Sequence, residues 1–189
     1  MSPIMTMSLS LSIAVGLLVG CQSARSEQDN QCARWRSLVD PNVEYPHDSD
    51  NAFLESSTNP YAISPRLINV AALSDEEVLS AICCLLSLQG EQGEARFWGA
   101  TDLRSSAITG PCGIDVAALY YVSYLFTNDW THGTNIALID EDGRVNDEAD
   151  IREAYRAYRH WFDIVERIGL EESREKDLNP LEGTGIDWY

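Results

Sequence analysis

Basic residues are scarce in this 189-residue sequence. It has 13 Lys and Arg against 30 Asp and Glu, which gives a formal net charge of −17 at pH 7. Binding to nucleic acid needs clustered cations that contact phosphates, so this balance argues against nucleic acid as a partner. It also argues against electrostatic docking on anionic lipid. Two interpretations remain, which are plain solubility and attraction of a basic protein partner.

Long hydrophobic runs are also scarce, and the clearest one lies near the N-terminus. Residues 8–19 form an apolar run of signal-peptide length, shorter than the roughly 20 residues of a membrane span. The run ends in Leu18-Val19-Gly20-Cys21. This order of apolar run, small residue and cysteine resembles the bacterial lipobox, in which the cysteine receives diacylglycerol. Residues 1–7 depart from the usual signal peptide because they carry no Lys or Arg.

The lipobox resemblance implies a protein of the cell envelope that is anchored to a membrane by lipid. Residues 1–20 are then a signal peptide, and Cys21 is the lipidated first residue of the mature protein. Two or more acyl chains, such as palmitate, anchor a protein stably, at about 0.8 kcal/mol per buried CH₂. Gln22 follows the cysteine in place of Asp, which by resemblance favours the outer membrane in a host with two membranes. The polar residues 22–31 predict a flexible tether, and residues 32–189 predict a single domain.

The predicted domain is mainly α, a compact multi-helix fold that follows an irregular N-terminal segment. Four of the seven prolines fall within residues 40–65, which predicts loops there. Ser74 and Glu77 form a capping box ahead of the apolar run 78–88, and Gly90 is a natural stop. This run is apolar nearly all round, so it predicts a central, buried helix.

Further helices are predicted downstream. Asp115 is a candidate N-cap for an apolar helix over residues 116–126. The longest helix is predicted for residues 148–168, where apolar residues recur at helical spacing. Gly169 should end it, and a short helix over residues 170–178 should follow.

Two smaller features complete the predicted domain. Residues 135–145 predict a small β-hairpin or a plain turn, centred on the run Asp140-Glu141-Asp142-Gly143. The chain finishes on Trp188 and Tyr189. Burying two adjacent large aromatics removes much apolar surface from water, so we expect this tail to pack back on the body of the domain.

Cysteine is used sparingly, with five residues in the chain. Lipidation of Cys21 would leave Cys32, Cys83, Cys84 and Cys112, and four cysteines allow three connectivities. An exported protein meets oxidising conditions in which disulfides form. A Cys83–Cys84 bridge would strain a helix, on which neighbouring side chains point about 100° apart. We therefore expect Cys112 to pair with one of these two residues and Cys32 with the other. Buried thiols are the alternative.

Metal-binding signatures are missing from the sequence. The adjacent cysteines 83 and 84 lack the gap of two to four residues that zinc sites use. The run Asp140–Gly143 has the composition of a calcium loop. When the run is aligned on its glycine, however, Leu138 and Ala149 occupy the first and twelfth ligand positions, so the signature fails at both ends. Neither a metal ion nor another cofactor is expected.

Catalytic signatures are equally sparse. Ser123 has no nucleophile-elbow context. His132, within residues 130–135, is the candidate for a general acid or base that works with a nearby carboxylate, as an envelope hydrolase would require. His160 lies on the predicted long helix. The competing interpretation makes His132 a loop residue that holds a turn, and His160 a surface or packing residue. Enzyme activity is therefore the less favoured interpretation.

Three arginines share one face of the long helix, namely Arg152, Arg156 and Arg159. They could form a clamp for an anionic or carboxylate group, which would be an interaction site. The alternative is pairing with acidic neighbours such as Glu148, Glu153 and Asp163. The acidic composition favours pairing.

These observations favour a membrane-anchored envelope lipoprotein that is not an enzyme and that binds another protein. One concrete form is an inhibitor or immunity protein against a basic toxin that attacks the envelope. In class it is similar to small helical immunity proteins, which are acidic, exported and disulfide-bonded, although no motif is shared. The alternatives are the hydrolase that uses His132 and a structural lipoprotein.

Overall fold

The computed structural model describes residues 32–40, 42, 69–95, 112–129 and 136–189. The expected mainly α fold is confirmed. The described α-helices with assigned bounds are α1 (Asp75–Leu86), α2 (Ile114–Thr127), α3 (Glu148–Ile168) and α4 (Leu170–Glu175). Residues 32–36 are also helical, and Val70–Ala72 form a 3-10 turn. The lipobox and the predicted tether lie outside the described residues, as does nearly all of the proline-rich segment.

Helix α1 begins at the predicted capping box. The backbone N–H of Glu77 donates to Ser74 Oγ at 3.3 Å, and the backbone N–H of Ser74 donates to Glu77 Oε2 at 2.9 Å. The Ser74 N–H and then its hydroxyl hold the pKa of Glu77 below its usual value, because both stabilise the carboxylate. The helix ends at Leu86, and the following turn reaches Gly90 at a φ of 73°, which favours glycine.

Helix α2 is the centre of the domain. Every residue from Val116 to Phe126 is buried, and the helix packs against α1, α3 and α4. The expected cap by Asp115 is wrong, because Gly113 is the N-cap and the helix begins at Ile114. Ile114 is buried, so packing extends the helix toward the N-terminus, and Asp115 lies in its first turn instead. Burial raises the pKa of Asp115.

Helix α3 packs one apolar face against α2. Its buried residues recur at helical spacing, and they are Ala154, Tyr155, Tyr158, Trp161, Phe162 and Val165. The Asp147 carboxylate caps the helix by accepting from Ala149 N at 2.9 Å. The Tyr155 hydroxyl donates to the backbone oxygen of Asp115 at 2.9 Å, which ties α3 to the first turn of α2.

The small sheet joins the middle of the chain to its end. Strand β1 (Leu138–Asp140) pairs antiparallel with β2 (Ile186–Trp188), with Leu138 opposite Trp188. Of the hairpin or plain turn expected within residues 135–145, the described residues 136–145 form a turn with one isolated bridge, between Ile139 and Val145. Asp140 holds that turn by accepting from the Arg144 backbone at 2.7 Å. Trp188 packs back on the body as expected, whereas the Tyr189 side chain remains 39% exposed.

The cysteines are paired partly as expected. Cys32 and Cys84 form a disulfide with a Cα–Cα distance of 5.3 Å, which confirms that pairing. The expected pairing of Cys112 is wrong. Cys112 retains a buried thiol, and its Sγ lies 3.4 Å from the Gly113 oxygen. Cys83 is also disulfide-bonded.

Candidate functional site

A cleft of about 240 Å³ opens where α2, α3 and the C-terminal tail meet. Four aromatic side chains line it, which are Phe126, Tyr158, Trp161 and Trp188. The cleft is also lined by polar side chains, those of Ser123, Thr127, Asp177, Asn179 and Asp187. We call this site the tail cleft. Aromatic surfaces beside a few polar groups are the usual composition of binding sites in proteins.

Local helix geometry explains most of this placement. Ser123, Phe126 and Thr127 follow the spacing of three and four residues that puts side chains on one face of α2. Tyr158 and Trp161 are three residues apart on α3 and share a face for the same reason. The β1–β2 register then fixes the position of Trp188 beside them. The cleft therefore exists only when the tail is docked.

A buried hydrogen-bond chain forms the floor of the tail cleft. The hydroxyls of Ser123 and Tyr158 share a hydrogen bond, and the Trp188 Nε1–H donates to Tyr158 Oη at 3.1 Å. Burial raises the pKa of Tyr158 to about 12, so its hydroxyl is neutral at physiological pH. The described residues that line the cleft include no His, Lys or Cys. The Ser123 hydroxyl is engaged by Tyr158.

The rim of the tail cleft is acidic. Asp177 and Asp187 are exposed, and the two cations near them in sequence are already engaged. Arg174 donates from Nε to the Phe126 oxygen at 2.7 Å and from Nη2 to the Leu125 oxygen at 3.0 Å, so it caps the C-terminus of α2. Lys176 pairs with Glu172. The rim therefore favours a cationic group over an anionic one.

Two further clefts are lined by polar groups that already make hydrogen bonds or ion pairs within the domain. One of about 410 Å³ is lined partly by Ser74 and Glu77, which the capping box uses. Another of about 340 Å³ lies beside the sheet and includes Asp140, whose carboxylate pairs with Arg144. Neither cleft combines several aromatic walls with a polar rim as the tail cleft does.

The three arginines of α3 have protein partners. Arg152 pairs with Glu148, and Arg156 pairs with Glu153 at 2.6 Å. Pairing with acidic neighbours therefore accounts for these two, as the composition favours. Arg159 Nη2 donates to the Leu86 oxygen at 3.1 Å, at the last turn of α1. That long-range contact was not predicted from the helical spacing.

Arg159→Ala is expected to lower the free energy of unfolding by about 1 kcal/mol, because it removes a charged donor from the C-terminus of α1. Arg152→Ala is the matched control on the same helix. It loses only an exposed ion pair and should cost less than about 0.5 kcal/mol. Urea unfolding followed by fluorescence measures both. Equal losses for the two variants would contradict the capping role of Arg159.

The candidate catalytic and lipidation residues remain predictions. Cys21 and His132 lie outside the described residues, so the structure places neither of them. His160 is exposed on α3. Within the described ranges, no group of three His, Cys, Asp or Glu side chains could hold a metal ion.

The part of the chain that the structure describes contains no helix long and apolar enough to span a membrane. Comparisons with protein-family models, curated proteins and solved structures each gave no match to this chain.

Sequence reasoning did not single out the tail cleft. Trp161 falls three residues after Tyr158 in the predicted α3 stripe, so helical spacing could have found it. Asp177, Asn179 and Asp187 carry no local signal. They become neighbours of the aromatic residues only through the docking of the tail.

Proposed function

We propose that this protein is an exported, lipid-anchored envelope protein whose helical domain binds a basic protein partner and performs no catalysis. An inhibitor or immunity protein against a basic envelope-attacking toxin is its most concrete form. The observation that carries the proposal is the tail cleft, which combines aromatic walls with an acidic rim. Interfaces use such aromatic surfaces to anchor partners.

The chemistry of the tail cleft supports binding over catalysis. Its Ser123 and Tyr158 hydroxyls bond to each other, and burial raises the pKa of Tyr158 to about 12. A general base near neutral pH would need a pKa close to 7. The arrangement suits recognition of a ligand by packing and hydrogen bonding.

The charge of the protein supports a basic partner. A net charge of −17 produces a negative field around the domain, which accelerates the approach of a cationic protein. This attraction weakens as salt screens it, with a Debye length of about 10 Å at 0.1 M ionic strength. Salt sensitivity is therefore the signature to measure.

Two observations support the proposed location. Disulfides such as Cys32–Cys84 form and persist in oxidising compartments outside the cytosol. Independently, the sequence around Cys21 resembles a lipobox. Together they favour a folded domain outside the cytosol that is held at the membrane by acyl chains.

Lipidation is tested by growing cells with labelled palmitate and recovering the full chain. The wild-type protein and Cys112→Ala should both incorporate label, whereas Cys21→Ala should incorporate none. Cys21 is the one cysteine of the sequence outside the described residues. Peptide mapping without reductant should therefore accompany the labelling. A Cys21–Cys83 bridge would contradict lipidation, because a thioether-linked lipid leaves no thiol at Cys21.

Partner binding is tested by immobilising the full chain and passing envelope extract over it at low and high salt. A basic protein should be retained at about 50 mM salt and released at about 500 mM, as screening predicts. Absence of any salt-sensitive partner, with lipid label present, would favour a structural lipoprotein instead.

A further inference from the structure

We infer that the tail cleft receives an arginine side chain of the partner protein, an inference that rests on the proposed binding function. The cleft measures about 240 Å³. Pockets for small molecules usually measure about 300–1,000 Å³. The available space therefore suits one long side chain that projects from a partner.

One aromatic wall of the tail cleft, Trp188, is accessible to a guanidinium group. Trp188 lines the cleft and is partly exposed, whereas Phe126, Tyr158 and Trp161 are at most 5% exposed and pack on one another, with the Phe126 and Trp161 ring centroids 4.8 Å apart. Arginine stacks on a partly exposed indole such as Trp188 through its planar cation, and its aliphatic stem packs against the apolar surface beside it. Lysine has a compact, strongly hydrated charge and gains less from this wall.

The rim of the tail cleft supplies hydrogen-bond acceptors for the guanidinium group of the incoming arginine. Asp177 and Asp187 are exposed at the cleft, and Asn179 adds an amide group. Asp187 Oδ1 accepts from the Trp188 backbone at 2.8 Å, which orients this carboxylate beside the cleft. Arg174 and Lys176 are held by other partners, so they need not be displaced when a new cation arrives.

The Trp161 indole gives an independent reason to expect a bound segment. Trp161 is 4% exposed, and its Nε1–H has no acceptor within the described part of the chain. A buried donor without an acceptor costs free energy until one reaches it. An incoming peptide brings main-chain carbonyl oxygens together with the arginine side chain, whereas a lone inorganic cation brings none.

The test titrates the full chain with the capped tripeptide Ac-Gly-Arg-Gly-NH₂ and follows tryptophan fluorescence and calorimetric heat. Citrulline in place of arginine keeps the shape and removes the charge. Saturable binding of the arginine peptide is expected, with at least about tenfold weaker binding of the citrulline peptide. N-acetylglucosamine serves as a neutral sugar probe. Saturation by the sugar, or equal binding of the two peptides, would overturn the inference.

A matched pair of variants locates the binding. Asp177→Asn with Asp187→Asn removes the rim charges and should weaken arginine-peptide binding about tenfold or more. Asp163→Asn with Glu166→Gln removes the same number of charges from α3, at residues that do not line the cleft. The control should bind like wild type. Equal weakening in both variants would show a general charge effect and overturn the site.

The two proposals fail in different ways. If the arginine peptide does not bind but a salt-sensitive partner is still retained, the cleft inference is wrong and the proposed function stands. If the arginine peptide binds at the rim but no partner is found, the proposed function fails and the arginine site remains.

Discussion

Replacing Cys32 and Cys84 together by alanine should lower the free energy of unfolding by about 4 kcal/mol. The bridge joins residues separated by 52 positions, and closing so long a loop removes much of the entropy of the unfolded chain. Both residues are buried, so the variant also loses apolar contacts in the core. Small domains are stable by only about 5–15 kcal/mol, which makes this bridge a large fraction of the total.

Urea unfolding under non-reducing conditions measures this loss. The double variant is preferable to either single change, because a lone thiol at residue 32 or 84 could form wrong bridges. Cys112→Ala is the control, since it removes a buried thiol that is not in a disulfide, and it should cost less than about 2 kcal/mol. Similar losses in the two variants would show that cysteine burial, and not the bridge, stabilises the domain.

Trp188→Ala is expected to lower the free energy of unfolding by about 3 kcal/mol. This value is at the low end for the truncation of a large aromatic side chain, because Trp188 is only partly buried. Its ring packs edge to face on Tyr120 with centroids 5.7 Å apart. Its Nε1–H donates to the buried Tyr158 hydroxyl at 3.1 Å. The substitution removes both contacts and one wall of the tail cleft, so arginine-peptide binding should fall with stability.

Two neighbouring substitutions separate these contributions. Trp188→Phe keeps an aromatic ring but not the donor, and it should cost about 1 kcal/mol. Tyr189→Ala changes the next side chain, which is 39% exposed, while its backbone bond to the Ala137 oxygen remains. It should cost about 0.5 kcal/mol or less. Hydrogen exchange at residues 138–140 gives a second measurement, because loss of the tail uncovers β1. Equal effects at 188 and 189 would contradict the anchoring role of Trp188.

Local signals predicted the helices well. Ser74 and Glu77 form the capping box within one turn, so four residues of sequence contain the whole motif. The α3 stripe is visible because one buried face imposes a period of 3.6 residues. Asp115 was misassigned as a cap because burial of Ile114 extended α2, and burial is a property of the packed domain.

Pairing between distant segments was harder to predict. Cys32 could have met either Cys83 or Cys84, which point in different directions on α1, and only packing of residues 32–36 against that helix selects Cys84. Arg159 shows the same limit. Its spacing on α3 suggested an acidic partner, but the approach of α3 to α1 brings the Leu86 carbonyl within reach.

By itself, the amino-acid sequence determined the mainly helical class, the acidic charge, the capping box of α1 and the end of α3 at Gly169, because composition and contacts within one or two turns define these properties. The tertiary structure alone decided the Cys32–Cys84 choice, the β1–β2 register and the tail cleft. Each depends on residues about 30 to 65 positions apart, and their approach follows from how the helices bury their apolar faces together.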